Sequence, residues 1–521
     1  MKVNLRSLSA AVLLLSAALL AQSTPGKIRF QVSLDPKLST EPVSGRLIVY
    51  MTDYPKPLPR IQPGYGEETR VAWIAAKEIK DLKPGDMVTF DPDQKAFPAP
   101  FSTAKAGNYQ FMAQLDVDHN AAYRTFTGGD LRSAVVKVEN VDPAQTAPIG
   151  LQLSERLTDQ PPFNPPQNSE VIDFVSPSLS SFWGRPIHMR GLVVLPPDYA
   201  TAKGRYPTVY LTHGYGANLN ILATAYGQSI SKEMAEGKVP PMIYVLLDES
   251  CPGGTHEFAD SVNNGPWGRA LTTELIPHLE KKYRMDAKPN GRFLTGHSSG
   301  GWATLWLQVN YPTTFGGTWS TSPDPVDFRD FTNVNLLQDK NFYSNPDGTL
   351  KYVVRMNGKP AESISDMARQ ERVLGSYGGQ MASFEWVFSP RGPDGRPEQL
   401  FDRDTGAINR DVADAWEIRY DISKILRTNA KQLAPKLKGK LHIIVGTQDT
   451  FYLNEPIQLM QKEIAPLGYD AKITYLEGRD HFNLYQGGLS WRIAKQMYDV
   501  ARPRNKWQSK EQPDAATALT Q

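Results

Sequence analysis

Residues 291–305 read GRFLTGHSSGGWATL and place two adjacent serines between glycines. The apolar run before them predicts a strand closing at Thr295, and the run after them predicts a helix that starts soon after Ser298. Gly296-His297-Ser298-Ser299-Gly300 is therefore G-x-S-x-G at a strand–turn–helix junction, the context that gives the motif meaning. Such a turn is strained at its centre, and glycines on either side let neighbouring backbone approach. The pattern makes Ser298 the attacking hydroxyl. It makes Ser299 a backbone N–H donor aimed at the same spot.

A serine of this kind needs a base and an orienting acid, in the chain order Ser, Asp/Glu, His. HIIVGTQDTF (442–451) offers Asp449 a few residues beyond an apolar strand, and ITYLEGRDHFN (473–483) offers His481 in the loop after the last strand. The chain has eight histidines, so one falling in that slot is informative. Asp480 and Glu455 are rival acids; Asp480 adjoins the histidine, and adjacent side chains seldom aim at each other. A second oxyanion donor belongs in the loop that closes the strand in YLTHGYG (210–216). His213-Gly214-Tyr215-Gly216 has the H-G-x-x form of that loop, with the Tyr215 N–H as the donor. Gly214-x-Gly216 lacks the third glycine of a dinucleotide site.

Apolar β-branched stretches recur at 188–196, 207–214, 242–249, 291–296, 316–323, 440–446 and 471–478, with helical stretches between many of them. GRALTTELIPHLEKKY (268–283) is one such helix, apolar at Leu271, Leu275, Ile276 and Leu279. Strands buried on both faces and alternating with helices indicate a mostly parallel sheet covered by helices. The catalytic unit is accordingly expected over 169–328 and 431–502. Residues 329–430 break the rhythm, and a structureless loop of that length is implausible in a compact domain, so they are read as an inserted cap.

Ahead of this unit, residues 27–140 alternate apolar and polar positions between Pro and Gly turns. That pattern predicts an all-β domain, an immunoglobulin-like sandwich. DVDHN (116–120) starts like a calcium loop but lacks the next Gly, and Thr127 stands where the closing Glu is needed. Residues 141–168 are proline-rich and read as a linker. Residues 503–521 are polar and aperiodic, a disordered tail. Residues 1–21, with Lys2, Arg6 and an apolar run from Leu8 to Leu20, read as a cleaved secretory signal, too short to span a membrane. The mature chain is expected to be exported, periplasmic or extracellular, with no membrane insertion.

The 521 residues are 40% apolar and 10% aromatic, enough for real cores, and carry 57 basic against 55 acidic side chains. A formal net charge of +2 gives no reason to expect a nucleic-acid partner. Cys251 is the single cysteine, so an intrachain disulfide is impossible and core packing alone must hold the fold. Its default reading is a small buried side chain.

The catalytic region resembles the α/β-hydrolase superfamily, and within it the esterase D, feruloyl esterase and enterochelin-esterase group. YLTHGYG, NNGPWGRALTTELIPHLEKKYR, FLTGHSSGGWATL, GTQD and GRDHF carry the resemblance, which covers roughly 170–328 and 431–500. It implies an α/β-hydrolase fold and cleavage of a small-molecule or polymer-linked carboxylic ester through an acyl-enzyme, with no metal or organic cofactor. Trp267 in NNGPWG, and Trp386 and Arg391 in FEWVFSPRG, are candidates for the substrate pocket, with internal packing and surface charge as the alternative. His256 and Glu257 lack a third ligand at a convincing spacing, so a metal site is rejected. The same triad would also serve acyl transfer or proteolysis, and a silent binding module could keep the scaffold. Oligomeric state is not encoded in any of these features.

Overall fold

The computed structural model describes residues 27–63, 72–117, 129–158, 165–375 and 379–509. The expected signal segment and most of the 116–120 loop lie outside the described residues. Eight strands form the central sheet: β1 (Ser169–Val175), β2 (His188–Val194), β3 (Thr208–Thr212), β4 (Ile243–Leu247), β5 (Arg292–His297), β6 (Gly317–Thr321), β7 (Leu441–Gly446) and β8 (Lys472–Leu476). Their order is β1-β2-β4-β3-β5-β6-β7-β8. β2 is antiparallel to both β1 and β4, and β3 through β8 are parallel. This is the α/β-hydrolase arrangement, and it puts the C-terminal ends of β3, β5, β6 and β7 side by side.

Val209, Leu246 and Phe293 pack into one apolar cluster with the final helix, and Tyr210, Val245 and Leu294 into another on the opposite face. That two-sided burial is why these strands read as near-continuous apolar runs. The stretch from Trp267 to Lys282 is helical throughout, with a wider π turn at Leu271–Leu275. Pro277 accounts for it, since it has no N–H to give the carbonyl four residues earlier.

Between β6 and β7 lie a short hairpin, Tyr352–Met356 with Lys359–Ser363, and several helices, among them α2 (Ile364–Leu374), α3 (Gln380–Phe388) and α4 (Arg410–Tyr420), numbered after α1 (Ser299–Asn310), which follows β5. Their apolar faces share a core with α1: Trp302 stacks on Trp306 at 5.2 Å and meets Phe388, and Trp306 meets Tyr420. Phe384, Phe388 and Trp416 are all buried in that core. The inserted segment is thus bound to the sheet through the helix that starts at the serine turn.

Among the described residues, nine N-terminal strands are hydrogen-bonded into one sheet with a core of its own, which includes Phe30, Val49, Phe111 and Leu153. Two expectations need correction here. Ile149–Arg156, inside the stretch read as a linker, is a strand paired in parallel with Phe30–Leu34. Its buried Ile149, Leu151 and Leu153 alternate with exposed residues, a period-2 pattern masked by the prolines on either side. At the other end, Trp507 of the expected tail folds back on the last helix, its N–H donating to Asp499 Oδ1 at 3.0 Å and its ring 6.0 Å from Tyr498.

Candidate active site

Ser298 stands between the end of β5 and the first residue of α1 with φ 61° and ψ −127°. A non-glycine residue there is strained by roughly 1–3 kcal/mol and persists only where its surroundings enforce it. They do so through close backbone packing. A Cβ on Gly296 would lie 2.3 Å from the Gly300 carbonyl oxygen, and one on Gly300 would lie 2.6 Å from that of His213. The Ser298 N–H donates to Thr321 O at 3.1 Å, and its carbonyl accepts from Trp302 N–H at 3.0 Å.

Asp449 follows β7 and is completely buried. Its Oδ1 accepts from the N–H groups of Phe451 (3.0 Å) and Leu453 (3.3 Å), while Oδ2 lies 3.0 Å from His481 Nδ1. Burial alone would raise this carboxyl; the adjacent His481, its hydrogen bond and the Phe451 N–H outweigh burial and hold it below the usual carboxylate range. His481 is buried beneath Phe451, which meets it edge-on at 4.8 Å, and lies 4.3 Å from the His297 ring. The rival Asp480 spends its carboxylate inside its own turn, on the N–H groups of Phe482 and Asn483 and on the Asn483 amide. Glu455 accepts from Asn454 Nδ2 at 3.0 Å. Of the three acids, Asp449 is the one on the imidazole.

Ser298 Oγ–H donates not to His481 but to Asp324 Oδ1, at 3.5 Å. The serine–imidazole link is therefore open in this structure, as is common before substrate tightens a site. The 213–216 loop sits against the serine: a Cβ on Gly214 would be 3.2 Å from Ser298 Cβ and 3.8 Å from its Oγ. Tyr215, the next residue, has its N–H in that same loop. His213 holds the loop from below, its Nδ1 2.8 Å from Gly214 O and its Nε2 accepting from Glu249 N–H at 2.9 Å.

The three pocket candidates each make definite contacts. Trp267 is buried, stacked on His256 at 3.6 Å, and its indole N–H donates to Asn264 O at 3.0 Å. Trp386 packs against the backbone of Gly253, where a Cβ would be 2.8 Å from its Cγ. Arg391 donates to Val262 O and reaches Asn263 Oδ1 at 3.5 Å. Trp386 and Arg391 thereby fasten the inserted segment to the loop after β4, and Trp267 packs within that loop.

Sequence reasoning missed Asp324, in TSPDP (321–325), which bonds both Ser298 and Ser299. It also missed Glu249, a fully buried carboxyl with no hydrogen-bond partner on either oxygen among the described residues. An acid just past the strand that neighbours the nucleophile strand was the one signal for Asp324.

A family model described as a putative esterase matches residues 184–491. Among curated proteins, an uncharacterized protein of Bacillus subtilis (strain 168) is 28% identical over 141 residues, 26% of this chain and 56% of its own. An esterase of Mycobacterium tuberculosis (strain ATCC 25618 / H37Rv) is 29% identical over 140 residues, 27% of this chain and 30% of its own. The chain therefore spans about half the length of the first relative and under a third of the second. Among solved structures, a ferulic acid esterase superposes with a TM-score of 0.40 at 15% identity, covering 64% of this chain and 99% of that one.

Proposed function

From its membership of the putative esterase family, we propose that this chain is a serine hydrolase that cleaves carboxylic esters through an acyl-enzyme. Asp449 Oδ2 at 3.0 Å from His481 Nδ1, beside a strained serine, is the observation that carries the reading.

In this mechanism the Ser298 hydroxyl turns from Asp324 to His481 Nε2 and gives up its proton there as Oγ attacks the ester carbonyl. Asp449 accepts from His481 Nδ1–H, which fixes the tautomer and stabilises the imidazolium. The N–H groups of Tyr215 and Ser299 receive the developing oxyanion, a contribution of about 10²–10³ in turnover per donor. Collapse breaks the ester C–O bond, and the alcohol leaves with the proton held by His481. Water, deprotonated by His481, then attacks the acyl carbon and releases the acid and the serine. No step calls on a metal or an organic cofactor.

The reading extends to the rest of the chain. Residues 1–21 direct export; residues 27–140, with the strand Ile149–Arg156, form an immunoglobulin-like domain, supported by antiparallel pairing around a buried aromatic core; residues 329–430 cap the catalytic unit. Among the described residues no helix is long and apolar enough to cross a membrane. The substrate is a small-molecule or polymer-linked ester.

The test is intact-mass analysis after a fluorophosphonate probe, with peptide mapping. One adduct on Ser298, lost on denaturation and in Ser298→Ala, is the expected result. An adduct elsewhere, or none on folded protein, overturns the assignment.

A further inference from the structure

The triad leaves one acid at the nucleophile unused. Asp324 is 3% exposed. Its Oδ2 accepts from Ser299 Oγ–H at 2.6 Å, its Oδ1 accepts from Ser298 Oγ–H at 3.5 Å, and its own N–H donates to Ser298 O at 3.2 Å. A hydroxyl bond is ordinarily about 2.7–2.8 Å long, and a carboxylate oxygen has two acceptor sites. Oδ1 is therefore only weakly engaged. Once Ser298 turns to His481 and becomes acylated, Oδ1 loses even that donor.

Asp324 also lines a narrow cavity with Thr332, Gln380, Met381, Phe384 and Phe451, among others. Gln380, Met381 and Phe384 belong to α3 of the inserted segment. Phe451 is the ring packed edge-on against His481. The cavity thus starts beside the nucleophile and runs beneath the cap. Its free space is about 10 Å³, about enough for one water molecule.

The leaving alcohol takes its proton from His481, on the side where Phe482 stands 69% exposed. The part of the ester that stays on Ser298 is the acyl group, and the cavity beyond Asp324 is space next to it. A carboxylate within reach of Oγ is also within reach of a substituent on the carbon next to the carbonyl. If that substituent is apolar, Oδ1 of Asp324 remains buried without a donor while Ser299 serves only Oδ2, and the carboxylate opposes the negative charge forming nearby. If it is a donor, both costs are offset.

We propose that Asp324 recognises substrate, selecting short acyl groups that carry a hydrogen-bond donor, hydroxyl or ammonium, on the carbon next to the ester carbonyl. The proposal rests on Ser298 being the nucleophile.

The experiment compares 4-nitrophenyl glycolate with 4-nitrophenyl propionate, which differ by hydroxyl against methyl. Each kcat/KM is divided by the ester's rate with hydroxide in the same buffer, which removes intrinsic reactivity. The full chain should prefer the glycolate by at least about tenfold. Asp324→Asn and Asp324→Ala should bring the ratio close to one while a fluorophosphonate still labels Ser298. A ratio near one in the unaltered protein, labelled at Ser298, overturns the proposal and leaves the triad standing, whether or not either variant folds. A preference that survives in a labelled variant overturns it equally. Failure to label Ser298 in the unaltered protein removes the parent reading, and this one with it.

Discussion

His481 Nδ1 lies 3.0 Å from Asp449 Oδ2, while the other oxygen of Asp449 is tied to two backbone N–H groups. The acid is therefore fixed in place before substrate arrives, and the imidazole has one orientation. Asp449→Asn would retain the backbone contacts but present the wrong partner to Nδ1. Turnover of a 4-nitrophenyl ester should fall about 10⁴-fold with little change in melting temperature. Asp480→Asn, which alters only the turn at 480–483, should stay within a few-fold of the unaltered protein. Equal losses for both would remove Asp449 from the triad.

Strain at Ser298 predicts an unusual order of stabilities. Its φ of 61° and ψ of −127° suit glycine alone. Ser298→Ala keeps the strain and Ser298→Gly relieves it, although glycine adds entropy to the unfolded chain. Both should be inactive. Ser298→Gly should unfold at higher denaturant than Ser298→Ala, by about 1 kcal/mol. The reverse order in a urea titration would mean that this turn stores no strain.

The contact between Gly214 and Ser298 gives a third test. A Cβ on Gly214 meets Ser298 Cβ at 3.2 Å and His297 O at 3.3 Å, so Gly214→Ala displaces the loop by a few tenths of an ångström. The proposed oxyanion donor at Tyr215 moves with it. Turnover should drop by about 10–100-fold with KM nearly unchanged, because the interaction is strongest in the transition state. A variant that loses only substrate affinity would place this loop in binding rather than in charge stabilisation.

These tests follow the part of the molecule that local pattern could reach. The central strands were legible because strands buried on both faces are written as apolar β-branched runs, as in Thr208–Thr212 and Ile243–Leu247. Ser298, Asp449 and His481 stood out because a motif and a chain order point to them; the structure adds the contact between the last two. Asp324 belongs to no motif and has no place in that chain order. It reaches Ser298 because β6 pairs with β5, a relation that no window of sequence contains. Trp267 shows the same limit: its indole is stacked on His256 and hydrogen-bonded to Asn264, contacts that the motif around it does not announce.

Glu249 yields a prediction in pH. Burial, opposed by His213 and reinforced by Asp248 and Asp324, pushes its carboxyl up to about 8. The unfolded chain releases this proton near the ordinary glutamate value of about 4.3. Between those values the folded state holds a proton that the unfolded state has lost, so stability falls as pH rises and levels off above about 8. Glu249→Gln removes that dependence. Its stability relative to the unaltered protein should climb between pH 5 and about 8 and then stay flat, followed by chemical denaturation at each pH. A constant difference would mean that Glu249 ionises normally.

The last prediction concerns how the N-terminal unit reaches the site. Arg46 is 7% exposed, and its guanidinium donates to Val373 O through Nε (3.0 Å) and Nη2 (2.8 Å), and to Arg372 O at 3.2 Å. Those carbonyls close α2, where a cation is favoured by the helix dipole and the last carbonyls lack partners within the helix. Val373 and Leu374 are buried in the same apolar cluster as Ile48, Tyr50 and Met112. The opposite end of this coupling is Met367, also on α2, which lines the cavity at Asp324. Arg46→Ala leaves buried carbonyls unpaired and should destabilise the protein by roughly 2–3 kcal/mol. It should also raise KM for an ester several-fold, since α2 loses its anchor. Arg132→Ala, which breaks an ion pair to the exposed Glu155, should change stability by less than about 1 kcal/mol and leave KM alone. A fall in melting temperature for Arg46→Ala with unchanged KM would show that the N-terminal unit braces only itself.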